Sequence, residues 1–436
     1  MTAAVGPASW GRYPKARHEV VVLRDRSGAL PSGTRPMLPY GNGRSYGDVC
    51  LNDDGVLLHT RGLDRFIAFD AETGRLACEA GVLLSEILDL VVPRGWFLPV
   101  TPGTKFVTIG GAIANDVHGK NHHGAGTFGG HVLRFELLRS DGSRLRCGPD
   151  ENADWFRASV GGLGLTGLIT WAEIQLRRTT TPWIVQESVR FPSLDGFFDI
   201  ARESDGRYEY TVAWIDCLAT GSALGRGVFH RGNHAPAGTA RPKRESSRKL
   251  SVPFTPPISL VNRLTVRAFN PLYYRRAPER PVPVVAPYDA YFYPLDGIGE
   301  WNRLYGPKGF LQYQCVVPTD TGPATMREIL SRIGRSGRGS FLSVLKVFGD
   351  RPSPGMMSFP RPGVTLALDF PNGDAETFAL LDGLDEVVAG VGGAVYPAKD
   401  ARMQGVRFRA FFPQWEAFSP FIDPKFSSGF WRRVTE

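Results

Sequence analysis

The stretch Thr101–Gly124, TPGTKFVTIGGAIANDVHGKNHHG, contains five glycines, one proline and three histidines. Glycine lets the backbone approach a bound group where a Cβ atom would collide, and successive free N–H groups form concave anion sites. Packing in an ordinary core requires no such composition. The stretch therefore predicts one wall of a site for a large, charged cofactor.

A second glycine-rich segment, Pro39–Asp48 (PYGNGRSYGD), precedes it by roughly 60 residues. A single glycine cluster usually marks only a tight turn. Two such segments with embedded serine, tyrosine, aspartate and histidine favour two sides of one dinucleotide.

Two common nucleotide signatures are absent from the sequence. A Rossmann unit needs G-x-G-x-x-G between a strand and a helix, whereas Gly41–Gly47 (GNGRSYG) has a different glycine spacing and is a poor helix opening. No Walker sequence G-x-x-x-x-G-K-[ST] occurs either. Nicotinamide and ATP are therefore less consistent with the sequence than flavin.

Bulk composition is that of a globular protein large enough for two domains, with 436 residues, 42% hydrophobic and 22% charged. No membrane span or secretory signal is recognised, so we expect a cytoplasmic protein or one peripheral to the cell membrane. The five cysteines are scattered and odd in number, which indicates neither a disulfide framework nor a metal site. The net charge of +8 favours an anionic partner. No aromatic-interleaved basic stripe supports nucleic-acid binding.

The order of periodic segments predicts an α+β fold. Residues 1–181 alternate short strands and helices, including a hairpin of Phe66–Asp70 and Arg75–Glu79. Residues 182–392 contain long strands, including Tyr288–Leu295 and Phe310–Val317, with two helices, which is typical of an antiparallel sheet backed by helices. Within the second part, residues 233–257 are rich in Pro, Lys, Arg and Ser and predict a flexible lid. The lid's cluster Lys243-Arg244 and Arg248-Lys249 is interpreted as a solvated loop or as a phosphate-steering patch.

A flavin dehydrogenase needs few side chains, because the flavin accepts the hydride and the protein positions substrate and takes up a proton. The proton acceptor must reach a substrate hydroxyl and have a pKa suited to neutral pH. Lys399, Lys346, His118 and Tyr46 are the candidates, and spacing alone does not rank them. The ordinary alternative for each lysine is an exposed strand end.

Several motifs carry a resemblance to a known family over nearly the whole chain. They are Gly43–Asp48, Pro102–Thr104, Gly110–Ala114, His118–His123, Gly161-Gly162 with Gly164–Gly167, Ala213-Trp214, Gly299–Arg303, Phe310–Gln314, Ser340–Leu342, and Tyr396 with Ala398–Asp400. In these the chain resembles the vanillyl-alcohol-oxidase-type flavoproteins, and among them the oxidases of polyprenyl-phosphoryl ribose. The resemblance implies an FAD-binding domain (1–181), a substrate domain (182–392) and a segment (393–436) that returns to the first domain.

The resemblance also assigns residues to the site. It implies catalytic roles for Lys399, Tyr46 and His118. The implied substrate-binding residues are Trp214, Gln312, Gln314, Lys346, Thr365 and Ala367. The implied FAD-binding residues are Tyr40, Gly41, Asn42, Gly43, Arg44, Ser45, Tyr46, Gly47, Asp48, Gly103, Thr108, Ile109, Gly110, Gly111, Asn115, His118, Ile169 and Tyr396.

The implied reaction is oxidation of the C2 hydroxyl of a polyprenyl-phosphate sugar to the 2-keto sugar. This is the first half of a 2-epimerisation that a separate short-chain NADH-dependent reductase completes. An oxidase of another sugar, an alditol or an aldonolactone is the alternative within the same fold. A non-catalytic basic binding protein is the remote alternative.

Departures from the family pattern lie in both halves of the site. Covalent relatives place a histidine where this chain has Arg44, so we expect non-covalent FAD. Ala367 stands where the ribose oxidases commonly carry a cysteine, Thr365 where asparagine is usual, Asn115 replaces a cysteine and Phe292 a tyrosine. Flavin chemistry tolerates these changes, whereas sugar specificity depends on them.

Overall fold

The computed structural model describes residues 6–241 and 250–436. The strands in this part of the chain are β1 (Glu19–Val22), β2 (Met37–Tyr40), β3 (Val56–His59), β4 (Phe66–Asp70), β5 (Arg75–Glu79), β6 (Trp96–Phe97), β7 (Val132–Leu138), β8 (Arg144–Cys147), β9 (Leu168–Gln175), β10 (Arg177–Arg178), β11 (Trp183–Phe191), β12 (Tyr210–Ile215), β13 (Gly227–His234), β14 (Leu250–Ser251), β15 (Val284–Pro287), β16 (Ile298–Gly299), β17 (Phe310–Val317), β18 (Ser343–Phe348), β19 (Gly363–Pro371) and β20 (Ala394–Val395).

The α-helices of the same residues are α1 (Leu84–Val91), α2 (Ile109–Ala114), α3 (His122–Ala125), α4 (Ala153–Ser159), α5 (Leu194–Ser204), α6 (Arg263–Arg276), α7 (Tyr288–Phe292), α8 (Gly322–Ser336), α9 (Ala375–Gly390), α10 (Gly405–Phe411), α11 (Trp415–Phe418) and α12 (Gly429–Thr435).

The first part of the chain builds two sheets. One is parallel, in the order β1-β3-β2, and the other is antiparallel, in the order β4-β5-β9-β7-β8. Helix α1 buries Leu84, Ile87, Leu88 and Val91 against the second sheet's core. This spacing of three and four residues places all four side chains on one helix face.

The second part of the chain builds one antiparallel sheet of eight strands, in the order β15-β11-β13-β12-β18-β19-β17-β20. Side chains alternate across a strand, so each strand has two different faces. On β17, Tyr313 and Cys315 pack into the core with α8 and α9, whereas Gln312 and Gln314 point the other way. The sheet therefore has one face backed by helices and one face available for a site. The predicted α+β, vanillyl-alcohol-oxidase-type fold is confirmed.

The C-terminal segment links the two parts. Its first strand, β20, pairs with β17 at the sheet edge. Helix α12 then lies against the turn after the first glycine-rich loop, where Arg433 pairs with Asp48 at 2.7 Å and with Asp400 at 2.9 Å. The exact boundaries at 181 and 392 remain predictions.

Two sequence expectations for the second part change. A strand predicted at Tyr288–Leu295 is wrong, because α7 and a 3-10 turn occupy these residues and bury Tyr291, Phe292 and Tyr293 in the core. The predicted lid (233–257) begins inside β13 and contains β14, which pairs with β16. Its basic cluster lies in residues 242–249, outside the described residues.

Candidate active site

A cavity of about 360 Å³ lies between the first part of the chain and the free face of the eight-stranded sheet. This volume is within the range of about 300–1,000 Å³ typical of small-molecule sites. Both glycine-rich segments and the strands β17, β18 and β19 contribute to its lining. The fold therefore brings together the two loops that the sequence placed on one cofactor.

The first loop, residues 41–46, presents backbone to the cavity. Gly43 has φ +59°, and a Cβ there would collide with the Tyr40 hydroxyl and the Ala8 carbonyl. Within the described part of the chain, no backbone N–H of residues 42–45 donates to a protein acceptor. A run of free N–H groups of this kind is suited to pyrophosphate.

The second loop adds side-chain contacts and open space. Thr108 begins α2 as its N-cap, accepting from Gly111 N–H at 3.1 Å. Asn42 Nδ2 ties the two loops together by donating to Phe106 O at 2.7 Å. A Cβ placed on Gly103 would meet no atom within 4 Å, so the backbone there borders the cavity directly.

His118 stands at the centre of a polar group on the sheet side. Gln314 Nε2 lies 2.9 Å from its Nε2, and Lys346 Nζ lies 3.1 Å from its Nδ1. Lys346 also donates to the Gly119 carbonyl at 3.1 Å. Burial and the neighbouring Lys346 charge hold the pKa of His118 well below its usual 6.5, which keeps the ring neutral.

Lys399 also lines the cavity, and its Nζ lies 3.9 Å from the centre of the Tyr46 ring. Burial lowers the pKa of Lys399 well below 10.5, and the negative charge of Asp369 partly opposes this shift. Asp369 is fully buried and accepts from Gln312 Nε2 at 2.6 Å and from the Tyr305 hydroxyl at 3.0 Å. Burial raises the pKa of the Asp369 carboxyl.

Lys120 is a third lysine in the cavity wall. Its ammonium group donates to the Tyr291 carbonyl and, at 3.3 Å, to the Phe292 carbonyl. Burial lowers the pKa of Lys120 to about 7, and burial with the charges of Lys120 and Lys399 lowers that of Lys346 to about 7. Neighbouring positive charges disfavour one another's protonated forms, so a cavity lined by three lysines favours an anionic ligand.

Most residues assigned by the resemblance line this cavity. They are Gly41, Asn42, Gly43, Arg44, Ser45, Tyr46, Gly103, Thr108, Gly110, Gly111, Asn115, His118, Ile169, Gln312, Gln314, Lys346, Ala367, Tyr396 and Lys399. Their placement together is a fact of the fold, whereas their individual roles remain predictions.

Three of the predicted cofactor-binding residues lie behind the first loop. Tyr40 turns its hydroxyl to the Ala8 carbonyl at 2.8 Å, and Asp48 is engaged by Arg433. Gly47 packs so closely on the Asp400 carbonyl that a Cβ would collide. These three shape the loop and do not line the cavity.

Ile109, Trp214 and Thr365 also lie outside the cavity lining. Ile109 is fully buried in the core. Trp214 donates from Nε1 to the Phe341 carbonyl at 2.8 Å and packs on Tyr273, with ring centres 4.6 Å apart. Thr365 lies behind Gln314, whose Nε2 donates to its hydroxyl at 3.2 Å, so it positions an amide that faces the cavity.

Four residues that shape the site are not among those predicted from the sequence. Lys120 lies inside the motif His118–His123, two residues from His118, so a resemblance to that motif contained the signal. Asp369 follows Ala367 by two residues on one strand face, which the period of a strand would have revealed. Trp301, which also lines the cavity, lies inside the motif Gly299–Arg303, so the resemblance contained its signal as well. Trp10 lines the cavity from a distant segment and gave no local signal.

The comparisons with known proteins agree with this geometry. A family model described as an FAD binding domain matches residues 31–148. Decaprenylphosphoryl-β-D-ribose oxidase of Mycolicibacterium smegmatis is 37% identical over 432 residues, covering 95% of this chain and 92% of that protein. The chain belongs to the decaprenylphosphoryl-β-D-ribose oxidase family.

Two further relatives match different shares of this chain. An uncharacterized protein of Streptomyces coelicolor, from the mprA 5′ region, is 36% identical over 373 residues, which are 81% of this chain and all of that protein. L-gulonolactone oxidase of Mus musculus is 31% identical over 137 residues, only 31% of this chain and 30% of that protein. Likeness to the lactone oxidase is thus confined to a short part of the chain.

The chain is an FAD-dependent oxidoreductase acting on a CH–OH group, and the alternative of a non-catalytic basic binding protein is wrong. The residues present fit FAD. The free N–H groups of residues 42–45 suit its pyrophosphate. Arg44 Nε, Asn115 Oδ1 and Gln312 Oε1 are buried and have no hydrogen-bond partner among the described residues, and all three residues line the cavity. Buried polar atoms of this kind are suited to bind a ligand.

No helix in residues 6–241 and 250–436 is long and apolar enough to cross a membrane.

Proposed function

We propose that this oxidoreductase converts the C2 hydroxyl of a polyprenyl-phosphoryl ribose into a ketone. The observation that carries the proposal is the group of Lys120, Lys346 and Lys399 beside two glutamines in the cavity. The full-length similarity to a decaprenylphosphoryl-β-D-ribose oxidase supports the same substrate class. Bound FAD supplies the acceptor for the C2 hydride.

The lysines and glutamines suit the polar end of such a substrate. An ammonium group is a compact charge for a phosphate oxygen, and an amide both donates to and accepts from sugar hydroxyls. Because the pKa of Lys120 and that of Lys346 are about 7, both are partly neutral in the free protein. A bound phosphate favours their protonated forms.

Lys399 is our candidate for the group that takes the hydroxyl proton. A general base works best with a pKa near the working pH, and burial moves the pKa of Lys399 in that direction. The proton passes from the C2 hydroxyl to the neutral amine, directly or through an oriented water, as the hydride leaves C2.

His118 and Tyr46 are better suited to positioning. Gln314 and Lys346 occupy the two ring nitrogens of His118, so neither nitrogen is free to collect a proton. Burial raises the pKa of Tyr46, which keeps its hydroxyl protonated. The Tyr46 ring instead supports the Lys399 ammonium.

The proposal includes a partner and a location. A separate short-chain NADH-dependent reductase would reduce the ketone from the opposite face and complete the epimerisation. The oxidase would act in the cytoplasm or at the periphery of the cell membrane, where a polyprenyl-phosphate sugar resides.

Anaerobic mixing with a polyprenyl-phosphoryl ribose tests the proposal. We expect the visible absorbance of the flavin to bleach and mass spectrometry to find a product two mass units lighter than the substrate. Free alditols and aldonolactones should leave the flavin oxidised. Bleaching by those compounds and not by the phosphoryl ribose would instead support the alternative substrates, which Ala367 and Thr365 brought into consideration.

A further inference from the structure

An unusual number of apolar side chains protrude from one region of the surface. Ten of the fifteen exposed large apolar side chains of the described residues lie between Leu250 and Ile298. The most exposed are Phe254 (67%), Ile258 (71%), Leu264 (79%) and Leu272 (68%). Scattered exposed leucines are ordinary, whereas a concentration of them marks an interaction surface. We call residues 250–276 the apolar face.

The first half of the apolar face lies on a segment that borders the cavity. β14 pairs with β16, Arg303 donates to the Val252 carbonyl at 2.9 Å, and Leu260 N–H donates to the Leu304 carbonyl at 2.8 Å. Trp301, within the same underlying segment, lines the cavity. The protruding side chains thus stand directly outside one cavity wall.

Helix α6 forms the second half. Its inner side is fixed by buried Val266, by Asn270, which donates to Asp216 at 2.8 Å, and by Phe269, whose ring lies 5.0 Å from that of Phe341. Leu264 and Leu272 are eight residues apart and therefore share a side of the helix. That side is exposed, so the helix presents leucines outward instead of burying them.

Charge on the apolar face has one dominant sign. The apolar face and the six residues after it, 277–282, contain Arg263, Arg267, Arg275, Arg276 and Arg280 but a single acidic residue, Glu279. Glu279 pairs with Arg190 at 2.7 Å, whereas the five arginines form no ion pair with a carboxylate of the described residues. Protruding apolar groups flanked by unpaired cations are complementary to a surface with anionic groups outside and an apolar interior.

We propose that the apolar face docks this protein on an anionic phospholipid bilayer. Phe254, Ile258, Leu264 and Leu272 enter the boundary between head groups and acyl chains, and the arginines contact lipid phosphates. These side chains protrude from a helix and a loop. The same contact places the cavity wall near the membrane that holds the polyprenyl tail of the substrate, a consequence that rests on the proposed function.

Co-sedimentation of the full-length, FAD-loaded protein with vesicles tests the docking. We expect binding to vesicles of equal parts phosphatidylglycerol and phosphatidylcholine, weak binding to phosphatidylcholine alone, and loss of binding at high salt. Leu264→Gln with Leu272→Gln, and separately Arg267→Gln with Arg276→Gln, should each weaken binding by about 10-fold or more. Val406→Gln, at a side chain 61% exposed on α10, is the matched control and should bind unchanged.

Activity assays separate this proposal from the proposed function. The variants should oxidise a water-soluble, short-chain phosphoryl ribose at the wild-type rate and lose activity on long-chain substrate embedded in anionic vesicles. If the wild-type protein oxidises the short-chain substrate but does not bind vesicles, the docking proposal is overturned and the proposed function is not. The wild-type protein could instead self-associate without binding vesicles, and Leu264→Gln with Leu272→Gln could abolish that self-association. This result would assign the apolar face to contact with a second copy and would also overturn the docking proposal.

Discussion

At the scale of single residues, Lys399 combines a lowered pKa with a place in the cavity wall. Replacing it with methionine removes the amine and keeps most of the side-chain volume. We expect Lys399→Met to retain FAD and to slow flavin bleaching by substrate at least about 100-fold, the size typical of a lost general base. Stopped-flow absorbance measures this rate. Lys308→Met, at an exposed lysine, should react as the wild type does, and an unchanged rate in Lys399→Met would exclude it as the base.

The pH dependence of the same rate follows from the sign of the shift. A base acts when neutral, so at saturating substrate the rate should rise as pH rises through the pKa of Lys399 and level off well below 10.5. Asp369 favours the protonated amine. Asp369→Asn should therefore move the rise to lower pH, and Lys399→Met should abolish it. A rise that stays in place in Asp369→Asn would show that the two groups are not coupled.

Non-covalent attachment of FAD is also a residue-scale prediction. Cys50 and His118 line the cavity, but burial raises the pKa of the Cys50 thiol to about 12, and the thiolate is the reactive form. The nitrogens of His118 are occupied by Gln314 and Lys346. Acid precipitation should therefore release all the yellow colour into the supernatant. Colour remaining on the precipitated protein would contradict the prediction.

At the scale of elements, α12 secures the loop that precedes Asp48. Arg433 satisfies Asp48 and Asp400, which are only 5% and 3% exposed. Removing one partner of a buried ion pair leaves uncompensated charge, so Arg433→Met should lower the free energy of unfolding by about 3 kcal/mol and weaken FAD retention. Urea denaturation followed by tryptophan fluorescence measures the first effect. Arg202→Met, in a pair 76% exposed, should stay within about 0.5 kcal/mol of wild type.

Elements were predictable from the sequence where local pattern and packing agree. The hairpin β4–β5 and the strand β17 match the predicted bounds, since their runs of apolar residues favour strands and the fold places them in sheets. The strand predicted at Tyr288–Leu295 is wrong because the prediction rested on the preference of aromatic residues for strands. In the structure, contacts with Phe97 and Tyr210 hold Tyr288 and Phe292 on a helical turn.

The candidate site was predictable to the extent that its motifs are contiguous. The segments 41–46 and 101–118 were identified from the sequence, and 18 of their residues line the cavity. Trp214 packs on Tyr273 of α6, a contact between distant segments, and does not line the cavity, while its role in substrate binding remains a prediction. No local pattern encodes such a contact, and the same applies to Asp369 beside Tyr305.

At the scale of the whole molecule, the cavity is built by both parts of the chain and FAD should hold them together. A ligand that binds only the folded state stabilises it by mass action, by about 2.7 kcal/mol at 100 times its dissociation constant. Removing FAD should therefore lower the urea midpoint, and added FAD should restore it in a concentration-dependent way. Riboflavin, which lacks the pyrophosphate that the N–H groups of residues 42–45 are free to bind, should restore less. Equal unfolding curves with and without FAD would mean that the cavity is not the cofactor site.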